Sequence, residues 1–263
     1  MTFTGETLAE ISLEAGALIM QVYATDFDVA SKDDTSPVTE ADEKAEAIIL
    51  SALAKVAPDI PVLAEEAVSA GNIPEIGDRF FLVDPLDGTK EFVNKRGEFT
   101  VNIALIEQGR PVMGVVFAPA MDRLFVADSV SSAWQASAKP GGTVPVASER
   151  TSMRIRQVTG GLTAVASKSH RTPETDEFLK KYDVSEIVSA GSSLKFCLIA
   201  AGEADLYPRM GRTMEWDTAA GQAVVEAAGG RVLQEDGKPL LYGKTERGYD
   251  NPHFIVYGDV TPK

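Results

Sequence analysis

The spacing of hydrophobic positions predicts two amphipathic helices in the first quarter of the chain. Apolar residues recur every three or four positions from Leu8 to Val22, and the same period returns from Ala45 to Val56, just before Pro58. Thr39 and Asp42 stand three apart at the start of the second helix, in the form of a capping box. Taken alone, this spacing favours a structural role for Asp42, whose charge suits the positive end of a helix.

Short apolar runs after these helices predict β-strands. They lie at 61–64, 79–83, 99–106, 112–118 and 124–127, and the third and fourth form a hairpin around Gly109. The stretch 136–152 is rich in Gly, Pro, Ser and Lys and has no period, which is typical of a boundary. We therefore predict an N-terminal lobe over residues 1–145 and a C-terminal lobe over residues 146–263.

The alternation of helices and strands resumes in the second lobe. Helices are predicted from Pro173 to Tyr182, with Thr172 as the N-cap, and at 192–201 and 218–228, each of the last two closed by glycine. Short strands are predicted at 162–166, 205–207, 231–233 and 254–257. This mixture indicates a fold of the α/β or α+β class.

The charge of the chain limits its partners. Its 39 acidic and 25 basic residues give a net charge of −14, which repels nucleic acid polymers and anionic lipid. The first residues show no signal peptide, and no uncharged apolar run reaches about 18 residues, so we expect no integral membrane segment. The single cysteine, Cys197, excludes an internal disulfide. We expect a cytoplasmic protein; the sequence leaves open loose peripheral membrane association and the oligomeric state.

The most informative polar string, Asp84-Pro85-Leu86-Asp87-Gly88-Thr89, directly follows a predicted buried strand. Ligands of α/β proteins usually bind at that edge of a sheet. Pro85 fixes one φ angle and Gly88 permits a tight turn, so the Asp84 and Asp87 carboxylates and the Leu86 carbonyl can converge on one cation. The competing interpretation is an acidic turn exposed to solvent.

Two further acidic strings extend this pattern. Glu65-Glu66 also follows a short predicted strand, and Asp217 stands at the start of the last long helix. Asp217 can act as an N-cap there and still offer a second oxygen to a metal. Oxygen ligands without histidine or thiolate point to Mg²⁺, or Mn²⁺, and away from zinc and copper.

Groups suited to an anion are predicted in the second lobe. Gly191 to Lys195 opens a helix, where backbone amides, hydroxyls and one lysine can face a phosphate. Ser167-Lys168-Ser169-His170 follows a strand and is locally basic, and Arg209 adds another cation. Each string by itself also fits an ordinary capped helix or a solvated loop.

Taken in order, these strings resemble the lithium-sensitive, magnesium-dependent phosphomonoesterase superfamily that includes inositol monophosphatase and fructose-1,6-bisphosphatase. The matching positions are Asp42, Glu65-Glu66, Asp84 to Thr89 and Trp216-Asp217. Within it, the chain looks most like the bacterial 3'(2'),5'-bisphosphate nucleotidases, and the likeness runs from about Ala9 to Phe254. The strings behind the closer likeness include Gly97 to Leu105, Gly191 to Cys197 and Leu206 to Arg209.

The resemblance implies a layered α/β/α/β/α sandwich and a hydrolase that uses metal-activated water. Its expected substrate is a small phosphate monoester, adenosine 3',5'-bisphosphate, which would give AMP and phosphate, with two or three Mg²⁺ ions, or Mn²⁺, in the site. The implied metal ligands are Glu65, Asp84, the Leu86 carbonyl, Asp87 and Asp217. Asp42 and Thr89, with Glu65, are implied to orient the water. The implied substrate contacts are Asp87, Gly88, Thr89, Ser167, Ser169, His170, Ser192, Lys195, Arg209 and Asp217.

One departure and three alternatives accompany this interpretation. Lys168 stands where the family usually has arginine, and lysine lacks the planar fork of a guanidinium. The alternatives within phosphatases are an inositol or sugar phosphate substrate and the aspartyl-phosphate chemistry of haloacid dehalogenases, which needs acids two apart where Asp84 and Asp87 are three apart. The non-enzyme alternative is a divalent-cation-binding regulatory module, which would not need Thr89 or Asp42.

Overall fold

The computed structural model describes residues 3–25, 29–31, 37–167 and 172–263, with the backbone alone described at 29–31 and 37–39. The helices in these ranges are α1 (Gly5–Tyr23), α2 (Glu40–Val56), α3 (Glu65–Ser69), α4 (Thr89–Val93), α5 (Pro173–Leu179), α6 (Leu194–Ala200) and α7 (Ala219–Ala227). Across the described residues, no helix combines the length and the apolar character needed to span a membrane.

The strands fall into one minor pair and two larger sheets. They are β1 (Val29–Ser31), β2 (Pro37–Thr39), β3 (Val62–Ala64), β4 (Arg79–Asp87), β5 (Thr100–Glu107), β6 (Arg110–Ala118), β7 (Arg123–Ser129), β8 (Ser132–Ser137), β9 (Thr151–Ser152), β10 (Leu162–Ser167), β11 (Val184–Ala190), β12 (Leu206–Arg209), β13 (Arg231–Gln234) and β14 (Phe254–Tyr257). β1 and β2 pair with each other.

A seven-stranded sheet, in the order β3-β4-β5-β6-β7-β8-β9, supports two hydrophobic cores. β3 and β4 are parallel, and the remaining neighbours are antiparallel. Along β4, Phe81 and Val83 pack on one face with α1 and α2, whereas Phe80 and Leu82 pack on the other face with α6 and α7. Because both faces are covered, this strand is apolar at consecutive positions instead of alternating.

A five-stranded sheet, in the order β11-β10-β12-β14-β13, forms the second half. Tyr207 and Phe254 of this sheet pack against Phe196 of α6. On its other face, Leu206 and Ile255 belong to a cluster that includes Phe178 of α5. The layers therefore run from α1 and α2 through the large sheet, α6 and α7, and the small sheet to α5. This confirms the predicted layered α/β/α/β/α sandwich.

The structure adds strands that the sequence analysis did not predict. β8 lies in a stretch with mixed polar and apolar residues, and β11 is an edge strand whose side chains are mostly exposed, so neither shows a clear period. β9, at Thr151–Ser152, pairs with β8 of the large sheet. The division into lobes at residues 145 and 146 stays a prediction.

A buried carboxylate, Asp205, ties the small sheet to the segment that precedes it. Its oxygens accept hydrogen bonds from Arg156 Nε at 2.7 Å and Nη2 at 2.6 Å, and from the Thr163 N–H at 2.7 Å. Burial raises the pKa of Asp205, but the hydrogen bonds from Arg156 and Thr163 outweigh it, so the pKa lies below its usual value. The ionised carboxylate therefore stabilises the folded state.

We expect Asp205→Asn to lower the free energy of unfolding by about 2 kcal/mol near neutral pH, because a charged donor loses its partner. The folded pKa lies below the unfolded value, so the stabilisation is complete above about pH 4 and is lost as the pH falls through the folded pKa. Urea unfolding of both proteins across this range measures the difference.

The control is Asp236→Asn, which removes an exposed partner of Lys238 and should leave the unfolding midpoint nearly unchanged. A difference between wild type and Asp205→Asn that does not shrink in acid would contradict the prediction.

Candidate metal centre and active site

A β-bulge brings the two aspartates of β4 to one side. Asp84 lies opposite Asn102 and Asp87 opposite Thr100, so two residues of β4 face one residue of β5 between these pairs. Side chains three apart on a regular strand point to opposite faces. The extra residue of the bulge offsets this alternation, and the carboxylates of Asp84 and Asp87 line the same pocket. Pro85, which has no N–H for the ladder, lies within the bulge.

A left-handed turn follows the bulge and begins α4. Gly88 has φ +92°, and a Cβ at this position would lie 3.2 Å from the carbonyl oxygen of Glu98. Both features favour glycine. Thr89, the first residue of α4, then donates its hydroxyl to the Leu86 carbonyl oxygen at 3.3 Å. The turn thus places a carbonyl and a hydroxyl in the wall of the pocket that holds the aspartates.

Three carboxylates from separate elements meet in this pocket: those of Glu65, Asp84 and Asp217 have oxygens within 4.8 Å of one another. β3 and β4 are parallel, with Ala64 opposite Val83, so the next residues along, Glu65 and Asp84, are neighbours at one sheet edge. Asp217 approaches from the segment before α7. The sequence predicted this convergence only in outline.

Asp217 does not cap α7, as one interpretation of the sequence expected. Thr218 occupies the N-cap position, and Asp217 Oδ2 accepts the N–H of Met214 at 2.8 Å, on the upstream side. The same carboxyl group has an oxygen within 4.8 Å of those of Glu65 and Asp84. Asp217 also lines the pocket, and its role as a metal ligand stays a prediction.

The carboxylates of the pocket raise one another's pKa. Burial raises the pKa of Asp84 well above its usual value, and the charges of Glu65, Asp87, Asp217 and Asp42 raise it further. Burial also raises the pKa of Asp217 well above its usual value, followed by the charges of Asp87 and Glu65. A bound cation would relieve this repulsion.

The donor set fits a divalent cation. In the part of the chain that the structure describes, the clustered ligand atoms are carboxylate oxygens, and the Leu86 carbonyl is nearby in the same pocket. Hard oxygen donors of this kind suit Mg²⁺ or Mn²⁺. The residues present therefore agree with a divalent metal site.

Helix α2 contributes two buried acids from one face. Asp42 lies beside the carboxylate cluster, and Glu46 follows one helical turn later. Glu46 accepts the N–H of Glu66 through Oε2 and the N–H of Ala67 through Oε1, both at 2.8 Å. These amides belong to the first turn of α3, which begins at Glu65. Glu46 thus fixes Glu65 relative to the helix that carries Asp42.

Two of the cations that line the pocket come from α6 and β12. Lys195 of α6 is buried, and burial lowers its pKa to about 8 although Asp87 acts to raise it. Its Nζ donates to the carbonyl of Ser192. Arg209 of β12 donates through Nη2 to the carbonyl of Arg212 at 3.0 Å. Acids and bases therefore line one pocket but come from different layers of the fold.

The segment before α6 differs from the open helix start that the sequence suggested. α6 begins at Leu194, and the Gly191 N–H already donates to Glu98 Oε2 at 2.9 Å. Ser192 has φ +42° and donates its hydroxyl to the Glu98 carbonyl at 3.0 Å. These bonds join the two halves of the chain. Ser192 still lines the pocket, and its contact with substrate stays a prediction.

Most of the predicted site residues line the same pocket. These are Glu65, Asp84, Leu86, Asp87, Gly88, Thr89, Ser167, Ser192, Lys195, Arg209 and Asp217. Ser169 and His170, together with Lys168, lie outside the described residues. The roles of all these residues stay predictions at this point.

The sequence analysis missed several polar residues of the site. Glu91, Arg212, Thr213 and Thr218 line the pocket, and Glu46 supports it from α2. One of them carried a signal: Glu46 stands four residues after Asp42, one helical turn away on α2. No pattern in the sequence marked Arg212, which the fold brings to the pocket.

Comparisons with known proteins agree with this geometry. The model of the inositol monophosphatase family matches residues 4–254. The 3'(2'),5'-bisphosphate nucleotidase CysQ of Escherichia coli O157:H7 is 45% identical over 253 residues, 95% of this chain and 98% of that protein. The Haemophilus influenzae protein of the same name is 29% identical, over 95% of this chain and 90% of its own.

A solved structure shows the same likeness. The CysQ structure from Bacteroides thetaiotaomicron aligns with a TM-score of 0.81 and 39% identity, and covers 98% of this chain and 97% of that one. The similarity therefore extends over both sheets and over the pocket that the acids and the cations line.

We expect Mg²⁺ or Mn²⁺ to raise the melting temperature of the protein, because a cation relieves the repulsion among the buried carboxylates. Asp84→Asn should remove this increase. It should also raise the melting temperature without metal, because it deletes one of the like charges. Thermal unfolding in chelator and over a metal titration measures both effects.

Asp259→Asn is the matched control, since it removes the same charge from an exposed position outside the pocket and should keep the full metal response. The site assignment fails if Asp84→Asn responds to metal as the wild type does.

Glu46→Gln should raise the metal concentration at the midpoint of that titration about tenfold, the effect typical of losing support behind a ligand. The amide offers one acceptor oxygen where the carboxylate offers two, and its NH₂ faces a backbone donor. Glu43→Gln, an exposed change on the same helix, is the control. An unchanged midpoint in a folded Glu46→Gln protein would show that α3 does not need this bond.

Proposed function

Since this chain belongs to the inositol monophosphatase family, we propose that it is a metal-dependent phosphatase that removes the 3'-phosphate of adenosine 3',5'-bisphosphate. The observation that carries the proposal is one pocket in which three carboxylates lie within 4.8 Å of one another and share the lining with Lys195 and Arg209. The names of the nucleotidase relatives support a nucleotide with two phosphates as the substrate class.

We assign the metal ligands to the acids and the carbonyl that line the pocket: Glu65, Asp84, Leu86 through its carbonyl, Asp87 and Asp217. Two or three Mg²⁺ ions, or Mn²⁺, are the proposed occupants. Such cations supply charge stabilisation for the phosphoryl and leaving oxygens and lower the pKa of water. The protein's part is to hold these oxygens in place from the start of α3, from β4 and from the segment before α7.

Thr89 and Asp42 are assigned to orienting the attacking water. The Thr89 hydroxyl donates its proton to the Leu86 carbonyl, which leaves the lone pairs of its oxygen able to accept a hydrogen bond. Asp42 is buried next to the cluster on α2, and an ionised carboxylate accepts only. With Glu65, these groups would direct the water along the line of attack and take up its proton.

The cations are assigned to the substrate's anionic groups. Lys195 is buried at the start of α6, and Arg209 lies at the end of β12, so both are held by the core rather than by loose surface loops. Phosphate monoesters hydrolyse very slowly without a catalyst, and fixed charges that neutralise the transferring group are the main means of acceleration. Ser167, Gly88 and Ser192 complete the proposed contacts.

The proposed partner is therefore a small anion and not a nucleic acid polymer. A surface with a net charge of −14 repels an extended phosphate backbone. A single nucleotide needs only the local field of the pocket, where Lys195 and Arg209 face it. Cations bound by the acids would add to that local positive charge.

Asp87→Asn should reduce turnover of adenosine 3',5'-bisphosphate by at least about a thousandfold, because the site loses a charged ligand while the fold persists. Phosphate release in saturating Mg²⁺, with circular dichroism to check folding, is the measurement. Asp259→Asn controls for the change in net charge. Full activity of Asp87→Asn would overturn the assignment of the site.

A comparison of kcat/KM for adenosine 3',5'-bisphosphate and inositol 1-phosphate tests the substrate. A ratio above one supports the nucleotidase, and a ratio below one favours an inositol phosphatase. Inversion of configuration at phosphorus would agree with direct attack of water, whereas retention would indicate an aspartyl-phosphate. If the protein hydrolyses no phosphate monoester when metal is present, the remaining interpretation is a metal-binding regulatory module.

A further inference from the structure

Arg212 lines the pocket but has no part in the reaction as proposed above. It lies in the connection between β12 and α7, and its side chain is 71% exposed, in contrast to the buried Lys195. An exposed arginine at the edge of a pocket stands out in a chain whose net charge is −14. Its surroundings show how it is held.

The backbone around Arg212 is tied to a neighbouring segment. The Asn251 N–H donates to the Thr213 carbonyl at 2.9 Å, and the Glu215 N–H donates to the Tyr249 carbonyl at 3.0 Å. These bonds flank Arg212 on its C-terminal side, so the connection is not a loose loop. The backbone that carries the Arg212 side chain is therefore held in place.

Asp250 orients the guanidinium itself. Its Oδ1 accepts a hydrogen bond from Arg212 Nε at 2.9 Å, and its Oδ2 lies 3.4 Å from Arg247 Nη2. A guanidinium has five N–H donors, and a contact through Nε still leaves the two terminal amino groups for an oxyanion. Arg212 is thus positioned to bind a ligand with its forked end.

Arg209 provides a second guanidinium in the same pocket and contacts the backbone of Arg212. Its Nη2 donates to the Arg212 carbonyl at 3.0 Å, whereas its Nε is buried without a hydrogen-bond partner among the described residues. A buried charged donor without a partner is costly, which points to a ligand that completes it. Two arginines that line one pocket, Arg209 at the end of β12 and Arg212 in the connection after it, suit the oxygens of a phosphate.

We propose that Arg212 is a specificity-determining residue that binds the phosphate of the substrate that is not cleaved. The inference rests on the proposed function, which places the reacting phosphate at the carboxylate cluster. A second phosphate would then reach the pocket edge, where Arg212 lies next to Arg209. Arg212 thereby distinguishes nucleoside bisphosphates from nucleoside monophosphates.

The test measures kcat/KM for adenosine 3',5'-bisphosphate and for adenosine 3'-monophosphate, which lacks the second phosphate. In Arg212→Ala, the ratio of the two values should fall about tenfold, mainly through a higher KM for the bisphosphate, because a contact remote from the reacting atoms is made equally before and during reaction. Arg212→Glu should lower the ratio further, and Arg212→Lys should restore part of it.

The matched control is Arg247→Ala, which removes another partner of Asp250 and the same charge but does not line the pocket. Its ratio should equal that of the wild type. An unchanged ratio in Arg212→Ala, or an equal fall in Arg247→Ala, would overturn the inference and leave the phosphatase standing. If the wild type hydrolyses neither compound with Mg²⁺ present, the proposed function fails and this inference fails with it.

Discussion

Repulsion among buried carboxylates is the constraint on which the rest of this structure depends. Glu65, Asp84 and Asp217 have oxygens within 4.8 Å of one another; Glu65 and Asp217 raise the pKa of Asp84, and Glu65 also raises the pKa of Asp217. Acids in this arrangement separate unless rigid elements hold them and a cation offsets their charge. The architecture meets the first condition, since a parallel strand pair, a bulge and a helix start converge at one place. The second condition makes metal affinity a consequence of the fold.

The bonds that hold this arrangement cross between layers. Glu46 joins α2 to the first turn of α3. Glu98, just before β5 of the large sheet, accepts the N–H of Gly191, which lies before α6. Ser193 accepts a hydrogen bond from Asn102 and donates to the carbonyl of Asp217. A shift of one layer against another would therefore move the acids apart. The packed α6 and α7 between the two sheets resist such a shift.

The placement of charge explains how so acidic a chain can take an anionic ligand. The clustered acids of the pocket lie at the start of α3, on β4 and in the segment before α7. Lys195 lies on α6, Arg209 at the end of β12 and Arg212 in the connection that follows it. Under the proposed function, metal would neutralise the charge of the first group and phosphate would neutralise the charge of the second. Neither group alone would bind a metal and a phosphate together. The excess of acid elsewhere acts at longer range, where salt screens it.

The sequence alone determined the mixed α/β class and most of the residues of the pocket, because hydrophobic period and short polar strings are local properties of the chain. The layered order was implied by the family resemblance of those strings. The sequence could not place β11, an exposed edge strand without a period, or show that a bulge turns Asp84 and Asp87 to one side. Only the tertiary structure decided that Asp217 bonds upstream instead of capping α7, that Glu46 binds the first turn of α3 and that Arg212 lines the pocket. Glu46 and Arg212 have partners 20 and 38 residues away, Glu66 and Asp250, and a local sequence pattern does not report contacts over such separations.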